Sequence, residues 1–307
     1  MTEDNPFDLD NPAAYEAWRA RKLETCPTRA EDLIVEVDDP RRLSRAEYDA
    51  IMDLCSRSNM AVYAGNTGTD PDKTIPAALA GRFGLAQPDR NMGADDDGIT
   101  ALRVVDEQWR NRYIPYSDRP IHWHTDGYYN EPDRQIRALL LHCVRPAARG
   151  GENALLDHEI AYIRLRDLDP SYIEALMAPD AMTIPANFVN GTRIRPARSG
   201  PVFSLGRDGR LHMRYTARKH SIEWRKDPVT GAAVKALETL LASDDPFIHR
   251  LTLQPGWGLV SNNVLHNRSG FTDEGQQTRL LYRLRYYEPV GGHSTEARAA
   301  GASRSSG

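Results

Sequence analysis

Thr278-Arg279-Leu280-Leu281-Tyr282-Arg283-Leu284-Arg285-Tyr286-Tyr287 decides how this chain folds, because neither side of it suits water. Side chains alternate along a β-strand, so Arg279, Leu281, Arg283, Arg285 and Tyr287 share one face. Leu280, Tyr282, Leu284 and Tyr286 share the other. The apolar face calls for a cover of helices. The arginine face then points into a sheet interior, where an uncompensated guanidinium is costly. An anion must meet it there, and a dicarboxylate matches the planar guanidinium in geometry and charge. The competing reading is an edge strand whose arginines are solvated or paired with acids such as Glu288.

The segments before it are mostly short strands. They are predicted at Asp32 to Val37, Met60 to Tyr63, Thr100 to Val105, Ile136 to Val144, Asn153 to Leu156, Met182 to Phe188, Val202 to Leu205, Leu211 to Tyr215, Ile248 to Leu253 and Gly258 to Val260. Asp208-Gly209 marks a hairpin between two of them. Helices are predicted from Pro12 to Glu24 behind an Asn11 cap, and after Ser44, which forms a capping-box pattern with Glu47. Others are expected at Ile75 to Phe83, Glu159 to Arg166, Ser171 to Met177 and Val229 to Ala242. Many strands with a few covering helices predict a mainly β fold, a cupin-like jelly-roll barrel. One domain is expected over residues 1–290, and a disordered tail over 291–307, which is rich in Ala, Gly, Ser and Arg.

Composition narrows the function. The chain has 307 residues, 40% of them apolar, and a net charge of −4 with scattered basic residues, which gives no footprint for nucleic acid. No apolar run is long enough to span a bilayer, and the acidic N-terminus is unlike a signal peptide. Three widely spaced cysteines, Cys26, Cys55 and Cys143, suit free thiols in the cytoplasm.

Trp123-His124-Thr125-Asp126-Gly127 supplies a His and an Asp two residues apart, which in an extended segment point the same way. An HxD alone is weak. His266, at the end of Trp257 to His266, is a candidate third ligand that a barrel can bring alongside. Two imidazoles and a carboxylate leave three adjacent positions of an octahedral metal open, as in non-heme iron enzymes that bind a co-substrate and O2 together. Gly150-Gly151-Glu152-Asn153 adds a tight turn and an amide able to bind a carboxylate.

In these segments, roughly from Arg112 to Pro289, the chain resembles the taurine dioxygenase and TfdA-like family, with its gamma-butyrobetaine hydroxylase-like relatives. The segments are WHTDG, GGENALL, LHNRSGF and TRLLYRLRYY. The resemblance implies a double-stranded β-helix, that is, a jelly roll, and an Fe(II)- and 2-oxoglutarate-dependent dioxygenase that uses O2 and releases succinate and CO2. It puts the metal and catalytic triad on His124, Asp126 and His266, and the anchor of the 2-oxoglutarate distal carboxylate on Arg279. Asn153 stands where many members carry Thr. Arg283 matches a second arginine that faces the substrate or co-substrate anion. Halogenating relatives carry a small residue in place of the carboxylate ligand, so Asp126 argues for oxygen transfer. The expected reaction is hydroxylation of a small polar molecule bearing a carboxylate or sulfonate. Desaturation or other oxidative tailoring on the same iron, and a non-oxidative metal-dependent cupin-like enzyme, are the alternatives. His122, Tyr128, Tyr129 and Arg283 are candidate substrate contacts, and Trp109, Tyr113 and Tyr116 could extend an aromatic wall. Arg214, Arg218 and Arg268 receive no role. A homo-oligomer, dimer or tetramer, is expected from the family.

Overall fold

A computed structural model describes residues 5–90, 97–104, 114–189, 191–218, 222–275 and 277–292. Ten strands build the two sheets that matter here. They are β1 (Ile34–Val37), β2 (Met60–Gly65), β3 (Thr100–Leu102), β4 (Ile121–His124), β5 (Ala138–Arg145), β6 (Asn153–Leu156), β7 (His249–Leu251), β8 (Trp257–Ser261), β9 (Leu265–Arg268) and β10 (Leu280–Tyr286). The larger sheet runs β1-β2-β8-β5-β10-β3, and the smaller runs β7-β6-β9-β4. Within both, all pairings are antiparallel except β1 with β2.

The α-helices among the described residues are α1 (Pro12–Thr25), α2 (Arg45–Ser58), α3 (Thr74–Arg82), α4 (His158–Leu168), α5 (Pro170–Met177) and α6 (Pro228–Leu241). Asn11 caps α1 by accepting from Ala14 N, and the Ser44–Glu47 capping box starts α2 as the sequence predicts. Their apolar sides explain the layering. Ile51 and Leu54 of α2 and Leu79 of α3 pack on one side of the larger sheet, against Leu140, Val260, Tyr282, Leu284 and Tyr286. Leu139, Leu141, Leu259 and Leu281 face the other way and meet Leu155 of the smaller sheet and Val264, the residue just before β9. The outer side of the smaller sheet, through Trp123, Ala154, Leu156 and Leu265, is covered by α4, α5 and α6.

β10 therefore does what its two-sided pattern requires. Leu280, Tyr282, Leu284 and Tyr286 lie under helices, and the face that carries Leu281 looks into the space between the sheets. β5 is buried along nearly its whole length for the same reason.

The mainly β, two-sheet architecture is as expected, and three details within it are corrected. The described strands face each other as two sheets without closing into one barrel. The strand predicted from Met182 to Phe188 breaks into Met182–Ile184 and Asn187–Val189, because Pro185 has no N–H to give a ladder. Asp126 does not continue the strand that ends at His124, but sits in the turn that follows. The Asp208-Gly209 hairpin forms between Phe203–Leu205 and Leu211–Met213, with Gly209 at φ 77°. Val105, and 293–307 of the expected tail, lie outside the described residues, whereas Gly291 N donates to Phe83 O at 3.0 Å.

Candidate active site

β9 lies next to β4 in the smaller sheet, and the register sets His266 directly opposite His124. Their ring centroids are 4.2 Å apart. Asp126 completes the group: the ligand atoms of the three side chains lie within 4.8 Å of one another, and His124 Nε2 is 3.5 Å from Asp126 Oδ1. The sequence reading expected strand alternation to aim His124 and Asp126 together. A side chain that reading missed does the aiming instead. Asn263 accepts from Asp126 N at 2.8 Å and donates to Asp126 O at 2.9 Å and to Ile136 O at 2.8 Å. Its backbone is left-handed, with φ 53°, a region that Asn tolerates better than most residues. Asn262-Asn263 between two strands was the available signal. Gly127, at φ 70°, lets the turn continue, and a Cβ there would overlap Ile136.

Both imidazoles are fixed in the same tautomer. His124 Nδ1 pairs with His122 O at 2.9 Å, and His266 Nδ1 with Val264 O at 2.9 Å. A carbonyl only accepts, so each Nδ1 carries a proton, and in a neutral ring so held Nε2 is the nitrogen that keeps its lone pair. Burial, with His124 alongside, pushes His266 down to about 3, so its ring is neutral. Burial alone would raise the Asp126 carboxyl, but Arg283, followed by His124 and Arg285, holds it well below its ordinary value. Arg283 Nη1 lies 3.3 Å from Asp126 Oδ2. That buried oxygen has no hydrogen-bond partner among the described residues. Two imidazoles that turn Nε2 toward an ionised carboxylate with an unsatisfied oxygen suit a divalent metal such as iron.

Arg279 is 4% exposed, its Nη1 has no hydrogen-bond partner among the described residues, and its guanidinium stacks 5.1 Å from the Phe271 ring centroid. Burial pushes it down to about 10, since Cys143 and Asp273 offset that only in part. Asn153 and Arg279 line one small cavity together with Gly150, Gly151 and Leu281.

The other candidates separate. Tyr128 and Tyr129 stand edge to face 5.2 Å apart on the loop after Asp126. His122 is exposed and borders a surface cleft shared with Glu152, Arg250 and Asn267; its carbonyl reaches the site through His124. Tyr116 is buried in the cluster between the sheets, while Trp109 and Tyr113 lie outside the described residues. Arg268 is buried and donates to Ser117 O at 2.9 Å and to Arg119 O, so it secures a loop. Arg214 likewise serves backbone carbonyls, among them Gly200 O at 3.0 Å and Met182 O, and Arg218 is exposed.

Two facing sheets around a two-histidine, one-aspartate cluster are the architecture of non-heme iron oxygenases. The profile of the taurine catabolism dioxygenase TauD, TfdA family matches residues 20–285, and the chain belongs to that family of Fe(II)- and 2-oxoglutarate-dependent dioxygenases. Among its relatives, a uridine-5'-phosphate dioxygenase of Amycolatopsis sp is 35% identical over 174 residues, 54% of this chain and 60% of that protein. A uridine-5'-phosphate dioxygenase of Streptomyces sp is 31% identical over 220 residues, 67% of this chain and 76% of that protein. The match thus spans less than two thirds of the first relative's length. The non-heme iron oxygenase OrfP in complex with Fe and alpha-ketoglutaric acid has a TM-score of 0.58 at 19% identity, covering 99% of this chain and 95% of that one. Asparagine oxygenase in complex with Fe(II), 2S,3S-3-hydroxyasparagine and succinate has a TM-score of 0.54 at 16% identity, covering 93% and 95%. These likenesses show the jelly-roll fold. No helix among the described residues is long and apolar enough to cross a membrane.

Proposed function

We propose that this chain oxidises a nucleoside 5'-monophosphate of the uridine type, hydroxylating it with release of succinate and CO2. His124, Asp126 and His266 hold Fe(II) in this reading, and Arg279 with Asn153 holds the distal carboxylate of 2-oxoglutarate. The observation that carries it is the set of two imidazoles held through Nδ1 beside Asp126, whose buried Oδ2 has no hydrogen-bond partner among the described residues, together with the buried Arg279, whose Nη1 also has none. The sequence suggested a carboxylate or sulfonate as the substrate anion. Two relatives above 30% identity named for uridine-5'-phosphate favour phosphate instead.

Iron and 2-oxoglutarate, once bound, supply the oxidising power toward O2 and a C–H bond. The protein supplies the rest. The carbonyls of His122 and Val264 hold the rings in orientation, Asn263 holds the carboxylate turn, and Arg283 balances the charge of Asp126. Arg283 is then available to an anion of substrate or co-substrate on its other side. The sheets and their helices exclude water. The same proposal takes residues 1–290 as one domain, a dimer or tetramer in solution, and the cytoplasm as location, where the three buried free thiols stay reduced.

The test is spectroscopic and chemical. Anaerobic Fe(II) and 2-oxoglutarate should give a weak visible charge-transfer band that His266→Ala abolishes. Uridine 5'-phosphate should then stimulate succinate formation in air. A wild-type protein without the band sinks the iron reading, and a band without stimulation by any nucleoside phosphate sinks the substrate.

A further inference from the structure

The inward face of β10 carries a third guanidinium, whose hydrogen bonds go to residues outside the metal triad. Arg285 is 2% exposed, and its charge is answered inside the protein. Nη2 donates to Asp89 Oδ2, Tyr287 donates its hydroxyl to Asp89 Oδ1 at 2.6 Å, and Asp89 N donates to Arg285 O at 2.8 Å. Its other terminal nitrogen, Nη1, donates to the Tyr129 hydroxyl oxygen at 3.1 Å, while the buried Nε has no hydrogen-bond partner among the described residues. A buried ion pair adds little stability over an apolar replacement, so its value here is better sought in what it positions.

What it positions belongs to the active-site loop. Asp126 and Tyr129 stand on one tight turn, closed by Asn130 N on Gly127 O at 2.8 Å. Asp126 meets Arg283, and Tyr129 meets Arg285, alternate residues of one strand face roughly 7 Å apart. The turn is thereby pinned to β10 at two points, and the Tyr128 ring, at 82° to that of Tyr129, restricts its swing.

A phenol both accepts and donates. Arg285 occupies the Tyr129 oxygen as donor, while the hydroxyl proton goes to none of the described residues. A cation on the oxygen also strengthens the O–H as a donor. We propose that Tyr129 donates this proton to the phosphate of the substrate and that Arg285 with Asp89 is the positioning pair that aims it. The inference rests on the reading of the substrate as a nucleoside 5'-phosphate.

Calorimetric titration of the anaerobic protein loaded with Fe(II) and 2-oxoglutarate tests it, using uridine 5'-phosphate, uridine and inorganic phosphate as probes. Tyr129→Phe should weaken uridine 5'-phosphate and inorganic phosphate about tenfold and leave uridine unchanged. Arg285→Lys keeps a charge opposite Asp89 and loses the planar fork, and should act in the same direction. Wild-type phosphate affinity in Tyr129→Phe overturns the inference, as do equal losses for nucleotide and nucleoside, the mark of general damage. Should wild type bind phosphate yet form no succinate with uridine 5'-phosphate, the substrate reading falls alone, and the phosphate arm still decides Tyr129. A wild type that binds neither anion overturns both.

Discussion

Asn263 shows how much one side chain outside the metal cluster controls. It holds Asp126 by both its N–H and its carbonyl, and is 2% exposed. Asn263→Ala strands buried backbone groups, each worth about 1–3 kcal/mol when unsatisfied, and puts Ala in a left-handed conformation. We expect chemical denaturation to show a loss of about 1–3 kcal/mol, together with a 10–100-fold fall in Fe(II) affinity. A variant that loses stability but keeps wild-type iron affinity assigns Asn263 to the fold alone. The same residue marks a limit of legibility. The grouping of His124, Asp126 and His266 was readable because metal chemistry favours these side-chain types, whereas strand alternation, which stops at His124, did not place Asp126. Asn263 acts through backbone atoms, and no spacing rule encodes that. Arg214 and Arg268 escaped for the same reason, since their partners are carbonyls that every residue possesses.

Elements were legible where periodicity or caps were strong, as in α2 and β10, and less so where a polar residue ties two of them together. The segment from Gly150 to Asp157 read as a turn opening a strand. In the fold Asp157 ends that strand, caps α4 through Glu159 N at 2.9 Å and lies 2.6 Å from Lys22 Nζ of α1, which also meets Glu159. Asn59 Nδ2 reaches the same carboxylate at 3.0 Å. A sequence places Lys22 and Asp157 far apart, so only folding reveals the pair. Lys22→Met leaves buried acid without its cation, and should cost about 3–5 kcal/mol in an unfolding titration. The pH dependence follows. Burial acts to raise Asp157, but Lys22 and His158 hold it below its unfolded value. A carboxyl depressed by folding contributes stability that is complete above its unfolded pKa, about 3.9, and is lost as pH falls through the lower folded value. Wild type should therefore lose this contribution only below about pH 4, and Lys22→Met should lack it. Parallel acid-unfolding curves for the two proteins would refute the assignment.

At the scale of the molecule, the candidate site is shared by both sheets. His124 and His266 come from the smaller sheet, while Arg279, at the entry to β10, and Arg283 belong to the larger. The two sheets are joined between these groups by apolar contacts such as Leu139, Leu141 and Leu281 with Leu155 and Val264. A metal on one sheet and an anion held from the other would add a link across that seam. Ligands that bind only the folded state stabilise it by mass action, about 2.7 kcal/mol at a hundredfold excess over Kd. For a chain of this size that is a rise of a few degrees in Tm. The two ligands should be separable by variant. Under anaerobic conditions wild type should gain from Fe(II) and again from 2-oxoglutarate; Arg279→Ala should keep the first gain and lose most of the second; His266→Ala should lose both, because the keto acid then has no metal to complete its site. A full 2-oxoglutarate gain in Arg279→Ala would move the co-substrate anchor to another cation, of which Arg283 is the nearest along the same face.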